Sequence, residues 1–215
     1  MKYSGTDSWE IRVNEFDWLL GPALWIRAAE RIDVPIAGVV TGPLDIDELD
    51  LDELPQPSAD TGAVSGTALA RGWLHLWNAA VFWPPLKNQE VLAEVARFAP
   101  PDFEALADFP DFRRVFAARW PQAHAWHSAR KRAGIQARPD RANTGVRHDI
   151  EGDVVRAVEA EMGRKPAPFS LHLIVLPVAE DLIRPAGEGT YLVPERFRRT
   201  AGYQQWLAST VRALA

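Results

Sequence analysis

Cysteine is absent from all 215 residues, which excludes disulfides, thiolate zinc sites, iron–sulfur clusters and cysteine nucleophiles at once. Long apolar runs are missing too. The longest, "LHLIVLPVA", is too short and too interrupted to span a bilayer, and "MKYSGTDSWE" carries no apolar segment behind its lysine. A cytoplasmic protein without a membrane partner is the expectation. The usual nucleotide and hydrolase signatures are lacking: "AGEGT" has no lysine for a phosphate loop, and "GAVSGT" is not the Gly-x-Ser-x-Gly elbow. No cofactor is therefore expected. Lysine is scarce, 4 against 20 arginines. In an Ala- and Pro-rich chain that ratio reflects a GC-rich bacterial genome, so arginine abundance alone does not signal phosphate recognition.

Apolar residues make up 47% and charged residues 25%, the balance of a soluble globular protein. The length suits one domain, residues 1–215, with one substantial core. The net charge of -5 is unevenly placed: 33–70 holds eight acids and no Lys or Arg, whereas 112–148 holds nine bases and only Asp140 as an acid. These segments attract each other, within one chain or between two. Tryptophan is abundant, with nine residues. A chain of this size does not readily bury nine indoles, so an aromatic groove or a homodimer interface follows, with Trp73, Trp77, Trp83 and Trp120 as its candidates.

Hydrophobic period sets the elements. "SWEIRVNEF" alternates as a strand with one wet face, "IAGVV" reads as a second strand, and "FSLHLIVLPV" as the best strand, apolar on both faces in its second half. "GEGTYLV" is its hairpin partner. Helical spacing marks Trp25 to Ile32, Leu69 to Ala80, Val91 to Ala99, Phe112 to Phe116, Val154 to Met162 and Tyr203 to Leu214. Pro121 breaks or kinks the fourth of these, and "QAHAWHSARKRA" resumes it with Trp126, Ala129 and Ala133 inward. An irregular acidic crossing over 43–66 and a mobile basic loop over 134–148 complete a helix-dominated α+β single domain with a small, mostly antiparallel sheet.

The candidate binding residues lie around 124–132. Projection at the helical angle puts His124, His127, Ser128 and Lys131 together on the solvent side, flanked by Arg130 and Arg132. Basic groups interleaved with Trp120 and Trp126 suit an anionic small molecule or nucleic acid. The same histidines make a poor metal clamp, since they stand at i, i+3 with an ammonium beside them and no carboxylate near, so no metal is expected. His148-Asp149 matches the dipeptide of metal-dependent HD-type phosphohydrolases but closes a loop rather than lying in a helix, a remote alternative. Asp45, Asp47, Asp50 and Asp52 lack the turning Gly and final Glu of a calcium loop. His75 reads as a surface residue. His172 reads as a hydrogen-bonded core or sheet-surface residue, whose use in catalysis requires a carboxylate or serine partner that spacing does not reveal. The leading reading is a self-associating binding or scaffold domain; the alternative is an enzyme or binder acting on an anionic ligand at 124–132.

Overall fold

A computed structural model describes residues 2–4, 9–45, 54–57, 64–82, 89–136 and 150–214. The chain is α+β, and it divides into two compact units, Met1–Asp17 with Arg130–Ala215, and Trp18–Ala129.

The first unit holds the sheet. Its strands are β1 (Lys2–Ser4), β2 (Trp9–Asn14), β3 (Phe169–Leu176), β4 (Arg184–Pro185) and β5 (Thr190–Pro194), in the order β1-β2-β3-β5-β4. β2 and β5 both run parallel to β3, while β1 and β4 pair antiparallel at the outside. The sheet is thus mixed rather than mostly antiparallel. Its hairpin partnership also differs from the expected one: β5 turns back on β4, not on β3. β2 alternates buried and half-buried as its sequence dictates. Trp9, Ile11 and Val13 join Leu171, Leu173, Val175 and Val193 on one face. That face is covered by α5 (Ile150–Met162) and α7 (Ala201–Leu214), whose Val155, Val158, Tyr203, Leu207 and Val211 point inward at helical spacing. Thr200 caps α7, its Oγ1 accepting from the Tyr203 backbone N–H at 3.3 Å. A single turn, α6 (Glu195–Arg198), links β5 to α7.

The second unit is helical, with α1 (Leu20–Ala29), α2 (Gly66–Val81), α3 (Gln89–Ala96) and most of α4 (Pro110–Gln136), whose last residues belong to the first unit. Residues 36–40 form a turn and coil and no strand, because the apolar run is too short and follows proline without a partner. α4 passes through Pro121 without a break. Proline removes one intrahelical donor there, but its ring lies on the exposed side, and the apolar stripe on either side keeps the helix in register. That stripe is Phe112, Val115, Phe116, Arg119, Trp120, Ala123 and His127. Trp126 is only half-buried, while Ala129 and Ala133 are exposed, which corrects the inward face read from the sequence. Restarting the helix after Pro121 had rotated its expected buried side.

The tryptophans mostly build core. Trp73 and Trp77 are fully buried and stack with ring centroids 4.8 Å apart. Each indole N–H is satisfied internally, Trp73 donating to Ala23 O at 2.9 Å and Trp77 to Val39 O at 2.8 Å. α2 can approach Phe112 because residue 72 is glycine, where a β-carbon would lie 2.4 Å from the Phe112 Cβ. A buried ion pair, Arg119 with Glu30, sits beside this core, and the Arg119 Nη2 also donates to Gln56 O at 2.6 Å. This ties the far end of the acidic crossing to α4. The described parts of the crossing, 43–45, 54–57 and 64–65, carry no helix or extended strand. Asp45 is buried rather than facing water; Asp47, Asp50 and Asp52 lie outside the described residues. Of the loop expected over 134–148, residues 134–136 are the last of α4, and the rest is likewise outside.

Candidate functional site

The residues singled out on α4 do not form one solvent-facing patch. His124 is exposed and packs its ring against Trp120 at 5.9 Å. His127 is 5% exposed, so the burial stripe claims it and the outward projection fails. Its ring lies where a β-carbon on Gly21 would approach within 2.8 Å of Nδ1, so α1 and α4 meet closely at this point. Both histidines belong to the helical unit, while Arg130, Lys131 and Arg132 belong to the sheet unit. Arg130 is already engaged: its guanidinium pairs with Glu195 and lies over the Phe16 ring at 5.4 Å from the centroid. Lys131 and Arg132 are exposed.

The aromatic candidates are likewise redistributed. Trp73, Trp77 and Trp120 are 0%, 0% and 8% exposed, which removes them from any surface, because their spacing fits a core stripe better than a rim. Trp83, His148 and Asp149 fall outside the described residues. His75 is exposed as expected, with Nε2 3.2 Å from Ala105 O and its ring beside Phe109 at 4.8 Å. Among the described residues no group of three His, Asp or Glu side chains could hold a metal ion. No helix among them is long and apolar enough to cross a membrane.

Two polar constellations in the sheet unit were not foreseen. The first sits where β2 and β5 end. Arg198 of α6 donates from Nη1 to Glu15 Oε1 at 2.6 Å and from Nε to Glu151 Oε1 at 2.9 Å, and the Tyr203 hydroxyl donates to the same Glu151 oxygen at 2.7 Å. Glu151 is fully buried. Burial and the adjacent carboxylate push the Tyr203 phenol well above its ordinary range, so it stays a donor at any pH the fold tolerates. Burial opposes the charge on Arg198, but Glu151 and Tyr203 together outweigh it and raise that pKa. The arrangement fastens the end of β2 to α5, α6 and α7 and reads as architecture, since each charge faces its opposite.

The second lies on the sheet face opposite the apolar core. Parallel register sets Arg12 beside His172 and His172 beside Thr190, one residue from each of three adjacent strands. Neighbouring strands stand about 4.8 Å apart, so a guanidinium, an imidazole and a hydroxyl form a row roughly 10 Å long. Gly189 makes the third position possible. Its φ of +64 and a β-carbon position only 2.5 Å from Ser170 O admit no other residue without strain, and the His172 N–H donates to Gly189 O at 2.7 Å. Around the row stand Glu10, paired with Arg12 Nε, and Asp17, whose Oδ2 accepts from Asn14 Nδ2 at 2.9 Å. Burial holds His172 below the ordinary histidine value; the negative charge of Asp17 opposes that shift and the positive charge of Arg12 adds to it. The imidazole is therefore neutral at neutral pH.

His172 was visible in the sequence as a histidine on a strand, and Asp17 is a carboxylate whose charge reaches it. Arg12 and Thr190 were missed, because the register that sets them beside His172, across 160 positions for Arg12 and 18 for Thr190, leaves no local signal. No protein-family model, no curated protein and no solved structure matches this chain.

Proposed function

We propose that the protein is a binding domain that holds a small ligand on the sheet face opposite its apolar core, over Arg12, His172 and Thr190. One observation carries this reading: the parallel register that sets these three side chains side by side. Among the described residues, the Arg12 Nη atoms, the imidazole nitrogens and the Thr190 hydroxyl have no hydrogen-bond partner, whereas the Arg198 guanidinium is engaged by both Glu15 and Glu151. Unengaged polar groups fixed on rigid strands are what recognition requires. Two-dimensional NMR of the labelled protein against a fragment library tests it. Localised shifts at Arg12, His172 and Thr190 are expected, and their loss in H172A; a library that shifts nothing on this face ends the reading.

Asp17 beside a neutral imidazole favours one second reading, in which His172 takes a proton from the bound ligand as a general base. Self-association is retained as a proposal on different residues from those first considered. Phe82 in the helical unit and Leu182 in the sheet unit, 55% and 56% exposed, offer apolar contact that buried Trp73 and Trp77 do not. A monomer mass that stays constant with concentration in light scattering removes it.

A further inference from the structure

Resting on the site just proposed, we infer that its ligand presents an anionic oxygen group, a carboxylate or a phosphate, to Arg12, His172 and Thr190. The balance of donors and acceptors on that face decides the class. Arg12 spends Nε on Glu10 and keeps both Nη groups unengaged among the described residues, and its side chain remains 41% exposed. A planar guanidinium with two parallel N–H groups available matches the paired oxygens of a carboxylate or phosphate better than any other common group. The neutral imidazole adds one N–H, and Thr190 adds a hydroxyl that donates once its oxygen has no other call on it. The acceptors of the face are in the opposite condition. Glu10 already receives Arg12, and Asp17 already receives Asn14. A cationic ligand would share carboxylates that already hold a donor, whereas an oxyanion meets N–H and O–H groups that have no acceptor among the described residues.

Spacing agrees with this choice. Adjacent positions in the row are separated by about 4.8 Å, which lets one oxygen group bridge Arg12 and His172, with a second oxygen reaching Thr190. Asp17 and Glu10 are the charges that work against an anion; Glu10 is paired with Arg12 and Asp17 is engaged with Asn14, which leaves the site weak rather than closed.

The test uses the full chain at constant ionic strength, with the His172 ring signals assigned by comparison with H172Q. Inorganic phosphate, acetate and methylammonium are titrated separately. Saturable shifts of the His172 ring with phosphate or acetate and none with methylammonium are expected. R12Q should weaken the oxyanion about tenfold, the loss of one charge-assisted paired contact, and T190V about threefold. Circular dichroism of both variants verifies that they fold, and T190V stands in if R12Q does not. Saturation by methylammonium alone overturns the oxyanion while leaving the site, as does full affinity in a folded R12Q and T190V. Absence of any saturable shift, here and across the fragment library, overturns the site itself.

Discussion

Replacing Gly72 by alanine tests whether the helical unit is packed as described. In an ordinary helix interior the change stabilises by about 1 kcal/mol, because alanine loses less backbone freedom and shields the helix better. Here the new β-carbon falls 2.4 Å from Phe112 Cβ, 2.6 Å from Cγ and 2.8 Å from Cδ1. Carbon atoms pack at about 3.5–4.0 Å, so α2 and α4 must separate by roughly 1 Å, because the Phe112 Cβ is fixed to its backbone and no change of rotamer moves it away. Phe112 is fully buried, as are Trp73, Leu76 and Trp77 on α2, so the ring has nowhere free to go. Overpacking of this kind costs about 1–3 kcal/mol beyond the propensity gain, and a net loss of about 2 kcal/mol is expected. Urea unfolding followed by tryptophan fluorescence measures it. Gly66, with nothing within 4 Å of its β-carbon position, supplies the control, and G66A should leave the midpoint unchanged or slightly raised. The penalty at 72 should fall only in part in an F112A background, since alanine removes Cγ and Cδ1 but keeps the Cβ that lies 2.4 Å away. A G72A protein as stable as its parent, with an unchanged slope, would refute the close approach of α2 to α4.

Three further outcomes follow from the polar interior. Y203F removes the donor 2.7 Å from Glu151 Oε1 and should cost about 1–2 kcal/mol in chemical denaturation, less than a lone charged pair because Arg198 still holds the carboxylate. R119M leaves Glu30, whose side chain is 0% exposed, without its guanidinium, for about 3–5 kcal/mol by thermal unfolding; the E30Q/R119M double variant should recover part of that. His172 binds its proton less readily in the folded than in the unfolded chain, so the unfolded state takes up more protons as the medium acidifies. Its contribution to stability is therefore complete above the unfolded value of 6.5 and declines as pH falls from there toward its lowered folded value. H172N should flatten the fall of the urea midpoint as pH drops below 6.5, and an unchanged slope would contradict the burial assigned to this ring.

Local pattern made much of the architecture legible. The alternation of Trp9, Ile11 and Val13 gave β2 and its buried face directly, and the spacing of Leu69, Trp73, Leu76 and Trp77 gave α2 and its inward stripe. The histidine face of α4 was misread for an identifiable reason. Starting the count afresh after Pro121 rotates the helix, whereas continuing the run Phe112, Phe116, Arg119, Ala123 carries it onto His127. Proline at an exposed position did not stop a helix whose buried side was already satisfied on both sides of it. The sheet pairing lay beyond local inspection. Nothing around "WEIRVN" says that its neighbour is "FSLHLI" or that the two run parallel, and the row containing Arg12, His172 and Thr190 exists only through that pairing. The tryptophans were ambiguous for a different cause: composition counts indoles but does not say which N–H groups find carbonyls such as Ala23 O and Val39 O inside the fold.

The pairing of β2 with β3 also sets an order of events during synthesis. Trp9 meets Phe169 about 160 positions later, and at roughly 5–20 residues per second the ribosome needs about 8–30 s to make that stretch. The continuous segment Trp18–Ala129 emerges whole within the interval, while β2 waits with only β1 available to it. Trp9, Ile11 and Val13, which end up under α5 and α7, therefore stand as an unshielded apolar ridge until the last third of the chain arrives. Conditions that slow translation beyond residue 129 lengthen that exposure without touching the stability of the finished protein.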